Sequence, residues 1–184
     1  FQNHMMQLLA LVAAEPPSIY AADRVRDEKV KLFRSLRPFP VGDRYEHLVL
    51  GQYREGIIDG RHAPAYREEL GVDPDSLTPT YAVMKIFVDN WRWQGVPFFL
   101  VSGKRLRAKE TKIEIQFRDI PHSMFRATLG ASIAANHLTL GVYPKEEIVL
   151  GVQGKKPGVS ASLRPVRLRF DYYDGYDGPV LDAY

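Results

Sequence analysis

The chain contains no cysteine. Disulfides, thiolate metal sites and cysteine nucleophiles are therefore excluded, which fits a reducing compartment and sets a cytoplasmic location as the expectation. No apolar run reaches the ~20 residues that cross a bilayer, and no secretory signal is visible, so no membrane partner is expected. No run of five like charges occurs, and the net charge is only +3. A nucleic-acid partner fits poorly with that pattern; a pocket for an anionic metabolite fits better. G-x-G-x-x-G is absent, so these residues carry no dinucleotide fingerprint of their own. Ser102-Gly103-Lys104 resembles the end of a phosphate loop, but Arg105 stands where a Ser or Thr would hold magnesium. The five histidines are scattered and none forms an H-x-x-x-H pair, so no metal is expected.

What is present is an ordinary globular composition, 45% hydrophobic and 26% charged. A chain of 184 residues can bury roughly 70% of its unfolded surface, enough for one core, so residues 1–184 read as a single domain. The front, QNHMMQLLALVAAEPP over residues 2–17, is the most informative stretch. It reads as a helix to about Ala14, apolar enough to be mostly buried and ended by Pro16-Pro17. It begins at Phe1 with no Met, cap or turn, which reads as a chain cut inside an element. A second helix follows, with Asp23 as N-cap, Asp27 and Glu28 in its early turns, and Val25, Leu32, Phe33 and Leu36 on its apolar side.

The remainder reads mainly as strands: 47–54, 81–89, 96–102, 112–118, 137–143, 148–153 and 166–171. Residues 55–78 read as loop with one helical turn near 66–70, and DYYDGYDG at 171–178 as a tyrosine-rich loop. Ile113, Ile115 and Phe117 alternate with Lys112, Glu114, Gln116 and Arg118, the period-2 pattern of a strand with one buried face. Short connections imply antiparallel pairing. The fold class is α+β: two N-terminal helices packed on a large, mainly antiparallel sheet, one face of which is wet or covered by a partner.

Several side chains carry two readings each. A lone histidine at a helix end is commonly a plain surface or core residue. His4, however, lies with Gln2 and Asn3 in a polar tip on a greasy helix, and imidazole suits general-base work near neutrality. Lys104 and Lys109 bracket the strand-to-loop junction GKRLRAK; they are either solvated lysines or a grip on phosphate or carboxylate. Lys155-Lys156-Pro157-Gly158 is a second basic turn, and a solvated hairpin end is its plainer reading. Trp91 and Trp93, with Phe98 and Phe99, belong to the core or stack on a base or sugar.

Taken in order, QNHMMQLLALVAAEPP, RDEKVK, VLGQY, the run from Trp93 through Gly95-Val96-Pro97-Phe98 to Ser102-Gly103-Lys104, KKPG and the closing LDAY resemble glucose-6-phosphate dehydrogenase over essentially the whole chain. The resemblance implies part of the C-terminal domain of a two-domain dehydrogenase, with the N-terminal dinucleotide-binding domain absent from this chain. It implies oxidation of glucose 6-phosphate at C1 with hydride passing to NADP⁺, and association through the sheet as a homodimer or tetramer. His4 then matches the catalytic base that takes the C1 hydroxyl proton. Lys104 matches a substrate-contacting lysine, and Lys109 a second basic position. Where the family has an Arg-x-Gln-Pro strand, this chain has Gly141, Tyr143 and Pro144, so it departs at Gly141 and at Tyr143, the position of a glutamine near the substrate. Gly141, Val149 and Gly151 stand where some members hold a second, structural nucleotide with Arg, Tyr and Lys, which sets the expectation that none binds here. Whether Tyr143, Lys155 or Lys156 touches substrate is open. So are two other readings: an association module, and a sugar-phosphate-binding protein without chemistry.

Overall fold

In a computed structural model that describes residues 2–40, 42, 44–58, 60–120, 133–158 and 162–178, the apolar front segment forms helix α1, Gln2–Ala13. Phe1 and the closing Leu181–Tyr184 lie outside the described residues. Met5, Leu9, Ala10 and Ala13 are buried, while Leu11 is 69% exposed. The buried positions recur at helical spacing and make one stripe, narrower than the near-complete burial that the composition implies. Helix α2 spans Ala22–Arg34. Its N-cap is Ala21, not Asp23; Asp23 lies in the first turn, with Lys31 and Arg34 in the last, so charges of the right sign face both ends of the helix dipole.

A single helical turn, α3 (Arg44–His47), occupies the start of the expected first strand, and β1 is confined to Leu48–Gly51. The Phe39 and Phe87 rings meet the His47 ring edge-on at 6.3 and 6.2 Å, and His47 Nδ1 lies 3.1 Å from the Lys85 carbonyl oxygen. That capture explains why the chain is still turning at His47. A hairpin of β2 (Gly56–Ile58) and β3 (Arg61–Ala63) lies in the region read as loop, because three-residue strands are too short to show alternation. A 3₁₀ turn at Tyr66–Glu68 meets the expectation there.

Strands β4 (Tyr81–Ile86) and β5 (Phe98–Gly103) form the expected antiparallel pair, and β1 joins on the far side of β4 in the order β1-β4-β5. Leu9, Ala10 and Ala13 of α1, Leu32 of α2, and Ile86 and Val88 form one core, with Met84, Phe98 and Leu100 packed against it. Helices α1 and α2 thus cover the face of the sheet that carries Ala82, Met84 and Ile86. Phe99 and Val101, one residue out of phase, are 62% and 55% exposed, as pleating requires.

The chain divides into two compact units, Phe1–Arg107 and Ala108–Tyr184. The second contains β6 (Thr111–Gln116), β7 (His137–Tyr143), β8 (Glu147–Lys155) and β9 (Leu163–Asp171), antiparallel in sequence order. The register puts Lys112, Gly141, Glu147 and Asp171 in one rung, and Ile113, Leu140, Ile148 and Phe170 in the next. One face is therefore polar and the other apolar. The class is α+β, and every pairing between described strands is antiparallel. The strands are shared among sheets of three, two and four, where the sequence pattern alone reads as one large sheet.

Candidate active site

His4 stands one turn into α1 and is exposed. Met5 next to it is buried, so the helix is anchored by its apolar stripe while the imidazole-bearing side faces outward. The other end of α1 is tied down twice. The Trp93 indole N–H donates to the Ala13 carbonyl at 3.0 Å. Arg92 grips Glu15 with both arms of its guanidinium, at 2.6 and 2.8 Å, and this bond holds the Glu15 carboxyl below its ordinary range.

Lys104 is the residue after β5, and it is exposed. Its backbone N–H donates to the Thr80 carbonyl at 2.8 Å, and the Thr80 N–H in turn donates to the Gly51 carbonyl at 2.8 Å. The Thr80 hydroxyl oxygen accepts from the Tyr53 N–H at 2.9 Å, and Thr80 is buried. The ends of β1, β4 and β5 therefore converge on one buried threonine directly beneath Lys104.

Lys109 lies in the second unit, with its ammonium 5.0 Å from the centroid of the Tyr143 ring, a cation–π distance. Two positions expected as separate features, the second basic residue and the tyrosine that departs from the family pattern, are thus brought together. In that unit a Cβ at Gly141 would come 2.6 Å from the Lys145 carbonyl oxygen, and one at Gly151 would come 2.2 Å from the His137 ring. Lys155 folds back on its own turn, donating to the Gly158 and Lys156 carbonyls at 2.5 and 3.2 Å; this agrees with its plainer reading as a hairpin end. The polar face of the sheet is largely self-neutralised. Arg169 pairs with Glu147, and Lys112 lies 3.3 Å from Glu114 and 3.5 Å from Glu110. The hydrogen bond that Lys112 donates to Glu114 is the main reason that its ammonium titrates higher than usual.

The aromatic run divides. Trp91 is fully exposed, while Trp93 packs against the core and meets Phe98 edge-on at 5.1 Å. Two clefts of the first unit, about 400 Å³ along α2 and about 470 Å³ beside β2, are lined by neither His4 nor Lys104. Among the described residues no group of three or more His, Asp or Glu is placed to hold a metal ion, and no helix is long and apolar enough to cross a membrane.

Residue-by-residue reading misses one cluster. Tyr53, Glu69 and Arg105 come from three separate segments and meet beside Lys104. The Tyr53 hydroxyl donates to Glu69 at 3.1 Å, Arg105 pairs with Glu69, and the Arg105 guanidinium lies 5.2 Å from the centroid of the Tyr53 ring. Burial first, then the bond to Glu69, raises the Tyr53 phenol above its usual value. The three are far apart in sequence, so no spacing signals them.

Compared with known proteins, residues 1–184 match the family described as glucose-6-phosphate dehydrogenase, C-terminal domain. The chain is 42% identical over 184 residues to a glucose-6-phosphate 1-dehydrogenase of Aggregatibacter actinomycetemcomitans, covering all of this chain and 36% of the relative. It is 43% identical over 169 residues to the protein of that name from Bacillus subtilis, covering 92% of this chain and 34% of the relative. Among solved structures, it superposes with a TM-score of 0.83 and 31% identity on a glucose-6-phosphate dehydrogenase in complex with its substrate glucose-6-phosphate, covering 98% of this chain and 35% of that one. The chain thus spans about a third of the length of the relatives that it matches.

Proposed function

Because the chain belongs to the family of glucose-6-phosphate dehydrogenase C-terminal domains, we propose that it is the substrate-side part of a cytoplasmic dehydrogenase acting on glucose 6-phosphate. The reaction oxidises C1 to the 6-phosphogluconolactone, with NADP⁺ as the hydride acceptor. Residues 1–184 are read as part of one C-terminal domain, with the dinucleotide-binding domain supplied outside this chain. Among the described residues no glycine-rich turn joins a strand to a helix in the manner of a nucleotide cradle, and the sequence has no G-x-G-x-x-G. These residues do not fit the cofactor, and their part in the reaction is to handle the sugar.

In this reading His4 removes the C1 hydroxyl proton, and Lys104 holds the anionic sugar. Lys109 is proposed as a further contact from the resemblance alone. The supporting observation is the packing of α1 on β5. The C-terminal end of α1 is tied to Trp93, just ahead of β5, and Leu9 and Ala10 share a core with Phe98 and Leu100. In this reading the helix continues along the strand and brings its His4 end toward the Lys104 end of β5. In the full-length enzyme His4→Ala should lower kcat ~10²–10⁴-fold, the usual worth of a general base, with little change in KM. A rise in KM alone would show that His4 binds substrate rather than moves a proton.

A second reading, association as a homodimer or tetramer through the sheet, is favoured by the apolar face of the four-stranded sheet. Leu168 and Phe170 of that face are 59% and 55% exposed. The opposite, polar face is less suited to it, since its Lys112 and Arg169 already have acidic partners. Sedimentation equilibrium checks this: Leu168→Asp should shift the protein toward monomer, and a wild-type protein that stays monomeric at high concentration would rule the reading out.

A further inference from the structure

Arg105 has φ of +53°, and among the described residues it is the one non-glycine residue with positive φ. Non-glycine residues rarely adopt this left-handed conformation, and it persists where the surroundings over-determine it. It occurs directly after Lys104, where the chain leaves β5. The surroundings that hold it are specific. Arg105 is paired with Glu69, stacked over the Tyr53 ring at 5.2 Å, and linked to Tyr53 again through the hydroxyl bond to Glu69 at 3.1 Å.

Glu69 is itself on a braced loop. Gln52 donates to the Ser76 and Thr78 carbonyls at 2.8 and 2.9 Å, and its amide oxygen accepts from Arg67 at 3.1 Å. The Tyr66 ring packs edge-on against Tyr53 at 5.7 Å. Lys104 is therefore clamped from both sides: its own N–H is bonded to Thr80 at 2.8 Å, and the next residue is locked to Glu69 and Tyr53. The guanidinium of Arg105 is turned to Glu69 and the Tyr53 ring, while Lys104 beside it is exposed.

We infer that Glu69, Tyr53 and Arg105 form a latch that positions Lys104 for the anionic sugar, acting on the backbone beside it rather than touching the substrate. The inference rests on the reading of Lys104 as a substrate contact. A lysine on a flexible stem contributes to affinity in proportion to how well its Cα is held, and a displacement of about an ångström at a binding group can cost up to ~10²-fold. Glu69→Gln keeps the shape and the acceptor for Tyr53 but removes the ion pair. Arg105→Gly keeps the left-handed backbone available but removes the tether.

The test uses the full-length enzyme, with steady-state kinetics in both substrates. Glu69→Gln and Arg105→Gly should each raise KM for glucose 6-phosphate roughly fivefold or more, with kcat and KM for NADP⁺ moving less than about twofold. A merely structural loss would lower the active fraction, and with it kcat, without singling out one substrate. Combined with Lys104→Ala, Glu69→Gln should add nothing further, because no ammonium remains to be positioned. If both latch variants keep the wild-type KM while Lys104→Ala raises it, the latch is refuted and the role of Lys104 stands; additive effects in the double variant refute it equally. If Lys104→Ala leaves KM unchanged, the reading of Lys104 fails and the latch with it.

Discussion

At Gly141 a side chain would meet backbone: the Lys145 carbonyl oxygen lies 2.6 Å from where a Cβ would be. At Gly151 the obstacle is the ring of His137, its register partner on β7, and that ring is exposed and can swing aside. The two substitutions should therefore differ. Gly141→Ala should cost about 1–3 kcal/mol, the range for overpacking, and Gly151→Ala distinctly less, as read from denaturant midpoints at constant m-value. The sequence marks both positions as departures from the family, but the reason lies in register and in the turn at Lys145, which single residues do not reveal. His4, Lys104 and Lys109 stand out in the sequence as candidates because they are histidine and lysine in unusual neighbourhoods. The latch does not, because a tyrosine, a glutamate and an arginine are unremarkable until folding brings them together.

Helix α2 is joined to the sheet by a seam that only partly shows in the sequence. Leu36 bridges Val88, Arg37 N–H donates to the Phe87 carbonyl at 3.0 Å, and Asp89 N–H to the Ser35 carbonyl at 2.7 Å. The Arg37 guanidinium then closes on the Asp89 carboxylate, at 2.6 Å from Nη2. That hydrogen bond, ahead of the simple charge attraction, holds the Asp89 carboxyl below its ordinary range. A carboxyl whose folded pKa is depressed contributes stability above its unfolded pKa, near 4, and loses it as pH falls through the folded value. The Tm difference between wild type and Asp89→Asn should thus be constant around neutrality and shrink below about pH 4; a difference that persists unchanged in acid would mean that the pair contributes nothing through charge. The apolar spacing of α2 is plain in the sequence. Its partner across 52 residues is not, since contact between distant segments leaves no periodic trace.

For the molecule as a whole, the decisive property is which parts of the chemistry these residues contain. They include a candidate base and candidate anion contacts, but no fingerprint for a dinucleotide. Residues 1–184 by themselves should therefore give no NADPH when supplied with glucose 6-phosphate and NADP⁺. Positioning of the two reactants against each other, worth up to roughly 7–11 kcal/mol in such reactions, is then missing. Any turnover above the uncatalysed rate in a sensitive absorbance assay would refute that division of labour.

Alternating and helical hydrophobic patterns, together with the punctuation of Pro16-Pro17, determined the two long helices, the strands from 81 to 171 and the antiparallel α+β class, because local periodicity reports which face of an element is buried. Tertiary structure alone decided three things: the division of the strands among separate sheets, the pairing of Lys109 with Tyr143, and the left-handed Arg105 held beside Lys104. Each depends on which distant segments meet, and contact energy between residues far apart in the chain is not written in the spacing of their neighbours.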